Sequence, residues 1–538
     1  MVARWRAPDR GVSRAAAEAR MRAAMSAAGA TPTSGMQQKW HRPAAPERFQ
    51  HRDGGGVISD GLSHRKTVKP VGAPKAREVV DRESDDSLLS EETRDATEDA
   101  GVSPRRRACI RARRRRRTFD GGVESAGSED AVDSLFRFSN LAEKMQPSPI
   151  RELFTVIQRP GMISFAGGLP DPDTFPVEGF ASCAEVLARD GRTVLQYGAS
   201  EGYPPLREVL LEMMAERLGY APQPEELLIT SGSQQAVNLV ARALLDPGDL
   251  VVVEAPTYPG TLHCLRNAGA RFVTVPADGD GMLVERLVEV VERAQREAGK
   301  RPKLIYTVPD FSNPSGACMS LERRRRLVEV SEELCIPVFE DDPYGRLRFS
   351  GESLPNLKRL AGDSPTVVYA SSFSKVLAPG VRVAWTVASP QLVRAMVLMR
   401  QGEDLCTSTV TQALVAEYCR RGLLEDHLGI IIATYARKSK AMQEALNRHL
   451  PAGAADWQAP HGGFFFWLRL AHLASDELFR RAVESGVAFV PGPAFYPAAN
   501  EQTGEVHVGE PFARLCFTFA DEPSIDEGCR RLGAAMAD

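Results

Sequence analysis

At 538 residues the chain is long enough for one large enzyme or for two to three domains of roughly 100 to 200 residues each. Its hydrophobic share of 43% and charged share of 25% are ordinary for a soluble globular protein, and no apolar run reaches the ~20 residues needed to span a bilayer, so a membrane protein is not expected. Residues 1 to 133 hold 26 Lys and Arg against 20 Asp and Glu, whereas the remainder holds 41 against 50, and that acidic body argues against nucleic acid as its main partner.

The first 133 residues contain few aromatic or β-branched side chains and many Arg, Ala, Gly, Ser and Asp, too little apolar area to offset chain entropy. They are expected to be a disordered extension whose removal leaves turnover intact. Its basic run, Arg105 to Arg107, Arg111 and Arg113 to Arg117, reads as a solvated tail, with binding to nucleic acid or an acidic surface as the alternative. No secretory pattern opens the chain, and the nine cysteines stand singly without a C-x-x-C pair, so no zinc or redox motif is indicated and a cytoplasmic location is expected.

From Phe136 onward apolar segments alternate with Gly and Pro turns. Strands are predicted at 226–230, 250–254, 304–308, 337–341 and 366–371, with helices at about 233–245 and 321–334 between them. That order indicates an α/β fold with a mostly parallel central sheet. A long amphipathic helix at about 423–449 then leads into a smaller α+β region. In such sheets ligands sit beyond the carboxyl ends of the strands, and five of those ends carry chemistry.

Thr230-Ser231-Gly232-Ser233-Gln234 turns a strand into a helix whose free N–H groups suit a phosphate, although a Ser near a helix start is also a routine cap. Tyr258, in Ala255-Pro256-Thr257-Tyr258-Pro259, can lie flat on a ring or simply pack at the surface. Asn313 stands before Pro314 in a turn that needs no function to explain it. Glu340, Asp341 and Asp342 place three acids at a strand end, with Tyr344 just beyond. One acid can face a buried cation, and the metal alternative lacks a nearby His. Ser371-Ser372-Phe373-Ser374-Lys375 ends a strand on a lysine that burial would turn into a nucleophile, with Arg382 seven residues on to pair a phosphate. Each motif alone has a structural explanation. Together they supply what pyridoxal phosphate requires: a lysine, an acid for the ring nitrogen, a phosphate cup, a stacking ring and donors to the phenolic oxygen.

In order and approximate spacing these segments resemble the fold-type I aminotransferases of class I, within them the 2-aminoadipate and kynurenine aminotransferase branch, from about Ser139 to the end. The resemblance implies a large cofactor domain at 188–422, a small C-terminal domain at 423–538, and a segment at 134–187 that joins the small domain. It implies Lys375 as the Schiff-base lysine; Ser233, Gln234, Ser372, Ser374 and Arg382 around the phosphate; Tyr258 stacked on the ring; Asp341 at the ring nitrogen; and Asn313 and Tyr344 at the phenolic oxygen. Gly168, in Phe165-Ala166-Gly167-Gly168-Leu169-Pro170, would contact substrate through its backbone, Arg514 would clamp the α-carboxylate, and Asn313 would also bind substrate. Tyr197 would reach the phosphate of the neighbouring subunit in a homodimer. The chain departs from the family after Tyr344, where Gly345, Arg346 and Leu347 replace a frequent second aromatic.

The expected reaction moves an amino group from an L-amino acid of the 2-aminoadipate, aromatic or branched-chain type to a 2-oxo acid, 2-oxoglutarate first among them, with ping-pong kinetics. Three rivals compete. A serine acyl-enzyme reading of Ser372-Phe373-Ser374-Lys375 lacks its S-D-N and K-T-G partners, and a transcription regulator lacks an upstream winged helix. A decarboxylase or lyase using the same cofactor is the serious competitor, because fold does not fix chemistry. The aromatic run Phe464 to Trp467 and Phe489 reads as small-domain core.

Overall fold

The Val, Leu and Ile runs between residues 227 and 387 lack the in–out alternation of a half-wet strand. In the structure, a computed structural model that describes residues 137–145, 159–497 and 511–537, most of them are covered on both faces. The extension expected at 1–133 lies outside the described residues. The eight strands of the main sheet are β1 (Leu227–Thr230), β2 (Leu250–Ala255), β3 (Arg271–Asp278), β4 (Gly281–Met282), β5 (Leu304–Thr307), β6 (Val338–Asp342), β7 (Val367–Ser372) and β8 (Ala384–Val387). Their order is β1-β8-β7-β6-β5-β2-β3-β4.

The run β7-β6-β5-β2-β3 is parallel, while β4, β8 and β1 each pair antiparallel with their neighbours. Two successive antiparallel steps return β1 to the direction of β7, so the ends of β1, β2, β5, β6 and β7 all open on one edge. The chain also switches sides between β2 and β5, where a parallel sheet leaves a crevice. Most predicted strands shift by a single residue, and the helices at 321–334 and 423–449 fall where the periodicity puts them. Strands β3, β4 and β8, which the sequence reading passed over, complete the sheet.

Helix α1 (Ser233–Leu244) follows β1 and α2 (Pro259–Asn267) follows β2. Proline at N1 starts α2, where its missing N–H costs nothing. The next helices used below are α3 (Leu321–Leu334), α4 (Phe373–Val376), α5 (Leu423–His449) and α6 (Glu522–Ala537). Gly422, left-handed at φ 76°, lets the chain turn into α5, whose 27 residues span about 40 Å at 1.5 Å per residue. Its stripe of Leu424, Leu428, Ile431, Tyr435, Met442 and Leu446 packs on α6, and the Tyr435 ring lies 5.3 Å from that of Phe464.

That second sheet holds β9 (Ala455–Asp456), β10 (Phe465–Leu470), β11 (Val490–Pro491) and β12 (Phe512–Cys516) in the antiparallel order β9-β10-β12-β11. Ile163–Ser164 pairs in parallel with Val487–Ala488, which ties the segment around residue 165 to this region. Lys438 of α5 buries its ammonium against Asp171 Oδ2 at 2.6 Å and the Thr518 carbonyl at 2.9 Å. The segment 166–171 is thereby held at the mouth of the crevice. Among the described residues no helix is long and apolar enough to cross a membrane.

Candidate active site

The five loaded strand ends converge on one cavity of about 680 Å³. Gly168, Ser233, Gln234, Tyr258, Asn313, Asp341, Tyr344, Ser372, Ser374, Lys375, Arg382 and Arg514 all line it. Tyr197 does not; its side chain stands 82% exposed on the surface.

Lys375 lies on α4, a single turn capped by the Ser372 hydroxyl and pinned inward by Phe373 against Trp385, ring centroids 4.9 Å apart. With Phe373 and Val376 facing the core, Lys375 faces the cavity. Its Nζ donates to the Gly168 carbonyl at 2.7 Å and sits 5.4 Å from the Phe464 ring. Burial, reinforced by the cations Arg514 and Arg382, draws the amine down to about 8.

Asp341 projects from the end of β6 and is 4% exposed. Its Oδ2 accepts from the Tyr306 hydroxyl at 2.7 Å, whereas its buried Oδ1 has no hydrogen-bond partner. Burial raises the carboxyl to about 7, with the neighbouring Asp342 adding to the shift and the Tyr306 bond opposing it. A cation opposite Oδ1 would satisfy the orphaned oxygen and favour the ionised form.

The three acids at this strand end do not act together. Glu340 accepts from the Leu357 and Lys358 amides at 2.7 and 2.9 Å, and Asp342 binds Arg217, the Tyr369 hydroxyl and the Gly345 amide. Each carboxylate has its own partners, and no group of three or more His, Cys, Asp or Glu among the described residues is placed to hold a metal. The departure at Gly345 has a local reason, since a Cβ there would run into Asp342 and Arg217.

On the far side of the cavity the first N–H groups of α1 stay open, because Gly232 at φ 95°, ψ 158° takes the cap position without a side chain. A Cβ on Gly232 would overlap the Arg382 guanidinium, which reaches the Ser231 carbonyl at 3.2 Å and Ser374 Oγ at 3.3 Å. Ser372 Oγ donates to Ser374 Oγ at 2.8 Å. Two hydroxyls, a guanidinium and a helix N-terminus thus surround one spot, the chemistry of a phosphate cup. Ser372 Oγ also accepts from the Ser374 amide at 3.0 Å, the cap that starts α4.

Between cup and acid, Tyr258 at the start of α2 lays its ring over Gly260, where any Cβ would collide with it. Asn313 Oδ1 accepts from Arg514 Nη1 at 2.8 Å, which leaves its NH₂ as a donor. Tyr344 packs against Phe464 and Phe465, and burial raises its phenol far above the ordinary value, so it stays a neutral donor.

Arg514, on β12, is 1% exposed and stacks between Phe465 and Phe495, its guanidinium carbon 4.5 and 4.9 Å from their ring centres. It also donates to the Ala166 carbonyl, and its Nε has no partner. Burial lowers this group to about 10, still cationic at neutral pH.

Phe464, Phe465, Phe466 and Phe489 are buried as the core reading expects, whereas Trp467 is only half-buried, stacked on Phe512. Phe464 and Phe465 also back Lys375 and Arg514, a second role that no spacing reveals. Tyr306 was overlooked altogether. The available signal was a tyrosine in an otherwise aliphatic buried strand, whose hydroxyl must find a partner.

Orphaned acid oxygen, open helix end and stacked tyrosine fit pyridoxal phosphate in size and in chemistry. The family model described as aminotransferase class I and II matches residues 163–532. A 2-aminoadipate transaminase of Thermus thermophilus is 42% identical over 403 residues, covering 74% of this chain and 96% of that protein. Aromatic-amino-acid aminotransferase 1 of Thermococcus litoralis is 39% identical over 403 residues, with coverage of 74% and 94%. Among solved structures, a Pyrococcus horikoshii kynurenine aminotransferase in complex with PMP matches at TM-score 0.70 and 39% identity, covering 76% of this chain and 98% of its own. The α-aminoadipate aminotransferase of Thermus thermophilus, complexed with N-(5'-phosphopyridoxyl)-L-leucine, matches at TM-score 0.66 and 41% identity, with coverage of 74% and 97%. Strand-end chemistry, cavity and likeness agree: the chain belongs to the class I and II aminotransferases and is a pyridoxal-phosphate-dependent aminotransferase.

Proposed function

We propose that this aminotransferase takes its amino group from an L-amino acid of the 2-aminoadipate, aromatic or branched-chain type and passes it to a 2-oxo acid, 2-oxoglutarate in the first instance. The observation that carries the reading is the gathering of Lys375, Asp341 and Arg514 around one cavity. The donor class follows the activities of the relatives, together with the phosphopyridoxyl-leucine held by one of them.

Ser233, Gln234, Ser372, Ser374 and Arg382 would hold the phosphate, Tyr258 would stack on the ring, Asn313 and Tyr344 would donate to the phenolic oxygen, and Lys375 would carry the covalent link. Once bound, pyridoxal phosphate supplies an electron-accepting ring. Arg514 and the backbone at Gly168 orient the substrate carboxylate and amine, with Asn313 fixing the guanidinium. Lys375, drawn toward neutrality by burial, would take the proton from the substrate α-carbon and deliver it across the bridging nitrogen to the cofactor carbon C4′. Asp341 would keep the proton on the ring nitrogen through its unpartnered Oδ1. The half-reaction ends with release of a 2-oxo acid, and the second 2-oxo acid enters the same cavity.

The division at 188 and 423, a homodimer completed by Tyr197 and a cytoplasmic setting belong to the same proposal. The exposure of Tyr197 and the eight free thiols among the described cysteines support the last two.

The test is an absorbance spectrum of the protein with pyridoxal phosphate, recorded before and after addition of single amino acids, beside Lys375→Ala. Conversion of the visible cofactor band by a donor, and its return with 2-oxoglutarate, is the expected result. A band that forms and never converts would point to a lyase or a regulator. A band that persists in Lys375→Ala would remove the assigned role of that lysine.

A further inference from the structure

Tyr306 sits in β5 between Ile305 and Thr307, fully buried, with its ring 5.9 Å from that of Phe339. A phenylalanine would fill the same space. The hydroxyl therefore costs desolvation that only its hydrogen bonds offset. It donates to Asp341 Oδ2 at 2.7 Å and is itself hydrogen-bonded by the side chain of Thr261. Thr261 is 2% exposed and belongs to the first turn of α2, the helix that opens directly after Tyr258.

One chain of hydrogen bonds thus joins three elements, from α2 through β5 to β6. It ends on the carboxylate oxygen turned away from the unpartnered Oδ1, and both Tyr306 and Asp341 line the cavity. With Oδ2 fixed, rotation of the carboxylate about its Cβ–Cγ bond is blocked. Donation into Oδ2 also favours the ionised form that a pyridinium needs.

We propose that Tyr306 is a positioning residue for the cofactor ring: its hydroxyl, braced by Thr261, orients Asp341 so that Oδ1 meets the ring nitrogen. This rests on the reading of Asp341 as the ring-nitrogen acid. The chain of bonds links the two residues that face the ring, Tyr258 stacked on it and Asp341 at its nitrogen, so ring placement and ring charge are set by one rigid unit.

The test compares the dissociation constants of pyridoxal phosphate and of its analogue with CH in place of the ring nitrogen, in the full chain and in Tyr306→Phe, Thr261→Val and Asp341→Asn. Tyr306→Phe is expected to weaken pyridoxal phosphate about tenfold and to leave the analogue unchanged, because only the natural ring meets Oδ1. Thr261→Val should show the same pattern at about threefold, and it carries the test if the phenylalanine variant does not fold. Equal weakening of both compounds, or of neither, would overturn the inference. If Asp341→Asn shows the nitrogen-dependent loss and Tyr306→Phe does not, the positioning role alone fails; if Asp341→Asn shows none, the reading of Asp341 fails with it.

Discussion

The Lys375 amine meets the Gly168 carbonyl at 2.7 Å, joining two residues 207 positions apart. The same contact presses the amine against an apolar wall and under the cations Arg514 and Arg382, so its proton is easily lost. Only the neutral amine attacks an aldehyde. The rate at which cofactor-free protein captures pyridoxal phosphate should therefore rise with pH through about 8, rather than through the ~10.4 of a solvated lysine. Stopped-flow absorbance across that range checks it, and a midpoint near the solvated value would show that the site does not perturb the lysine.

Arg514 is held at both ends, by Asn313 and by the Ala166 carbonyl, and is sandwiched by two phenyl rings. Lysine can reproduce neither the paired hydrogen bonds nor the stacking. Arg514→Lys should lower kcat/KM for amino acid and oxo acid alike by about a hundredfold, mostly through KM, while cofactor affinity holds. Steady-state kinetics with both substrates measure the split, and a change in kcat alone would contradict a carboxylate clamp.

Gly232 has a backbone conformation that is almost confined to glycine, beside the guanidinium of Arg382. Gly232→Ala is expected to cost about 1–3 kcal/mol of backbone strain. Displacement of Arg382 should in addition weaken pyridoxal phosphate by at least about tenfold, through loss of a charge-assisted bond. Thermal melting and cofactor titration separate the two effects. Unchanged cofactor affinity would place the phosphate elsewhere.

Tyr197 is 82% exposed and lies outside the cavity lining. If it completes a neighbouring site, a hybrid of Lys375→Ala and Tyr197→Ala chains contains one site with both residues intact. Mixing the two variants should then restore turnover at limiting cofactor above that of either alone. No restoration, or a monomer by analytical ultracentrifugation, would confine Tyr197 to its own subunit.

Much of the site was legible because the strand-end motifs are local. Ser233 and Lys375 each follow a strand by a few residues and Asp341 lies one residue before the end of its own, and a strand's direction fixes which edge its end occupies. The long-range partners were not legible. Nothing in the spacing pairs Tyr306 with Asp341 or Lys438 with Asp171, and no alternation rule tells Phe464 and Phe465 that one backs Lys375 and the other Arg514. Strands β3, β4 and β8 escaped for a related reason: the place of β8 between β1 and β7, for one, comes from pairing with both.

The sequence by itself determined the fold class, the five chemically loaded strand ends and the lysine, since apolar period, turn residues and motif order are written in the chain. Only the tertiary structure decided which Asp341 oxygen stays free, how far the amine of Lys375 is drawn down, and why Gly232 carries no side chain. Those are properties of desolvation and of close approach, which depend on what packs alongside and come into being only when distant segments meet.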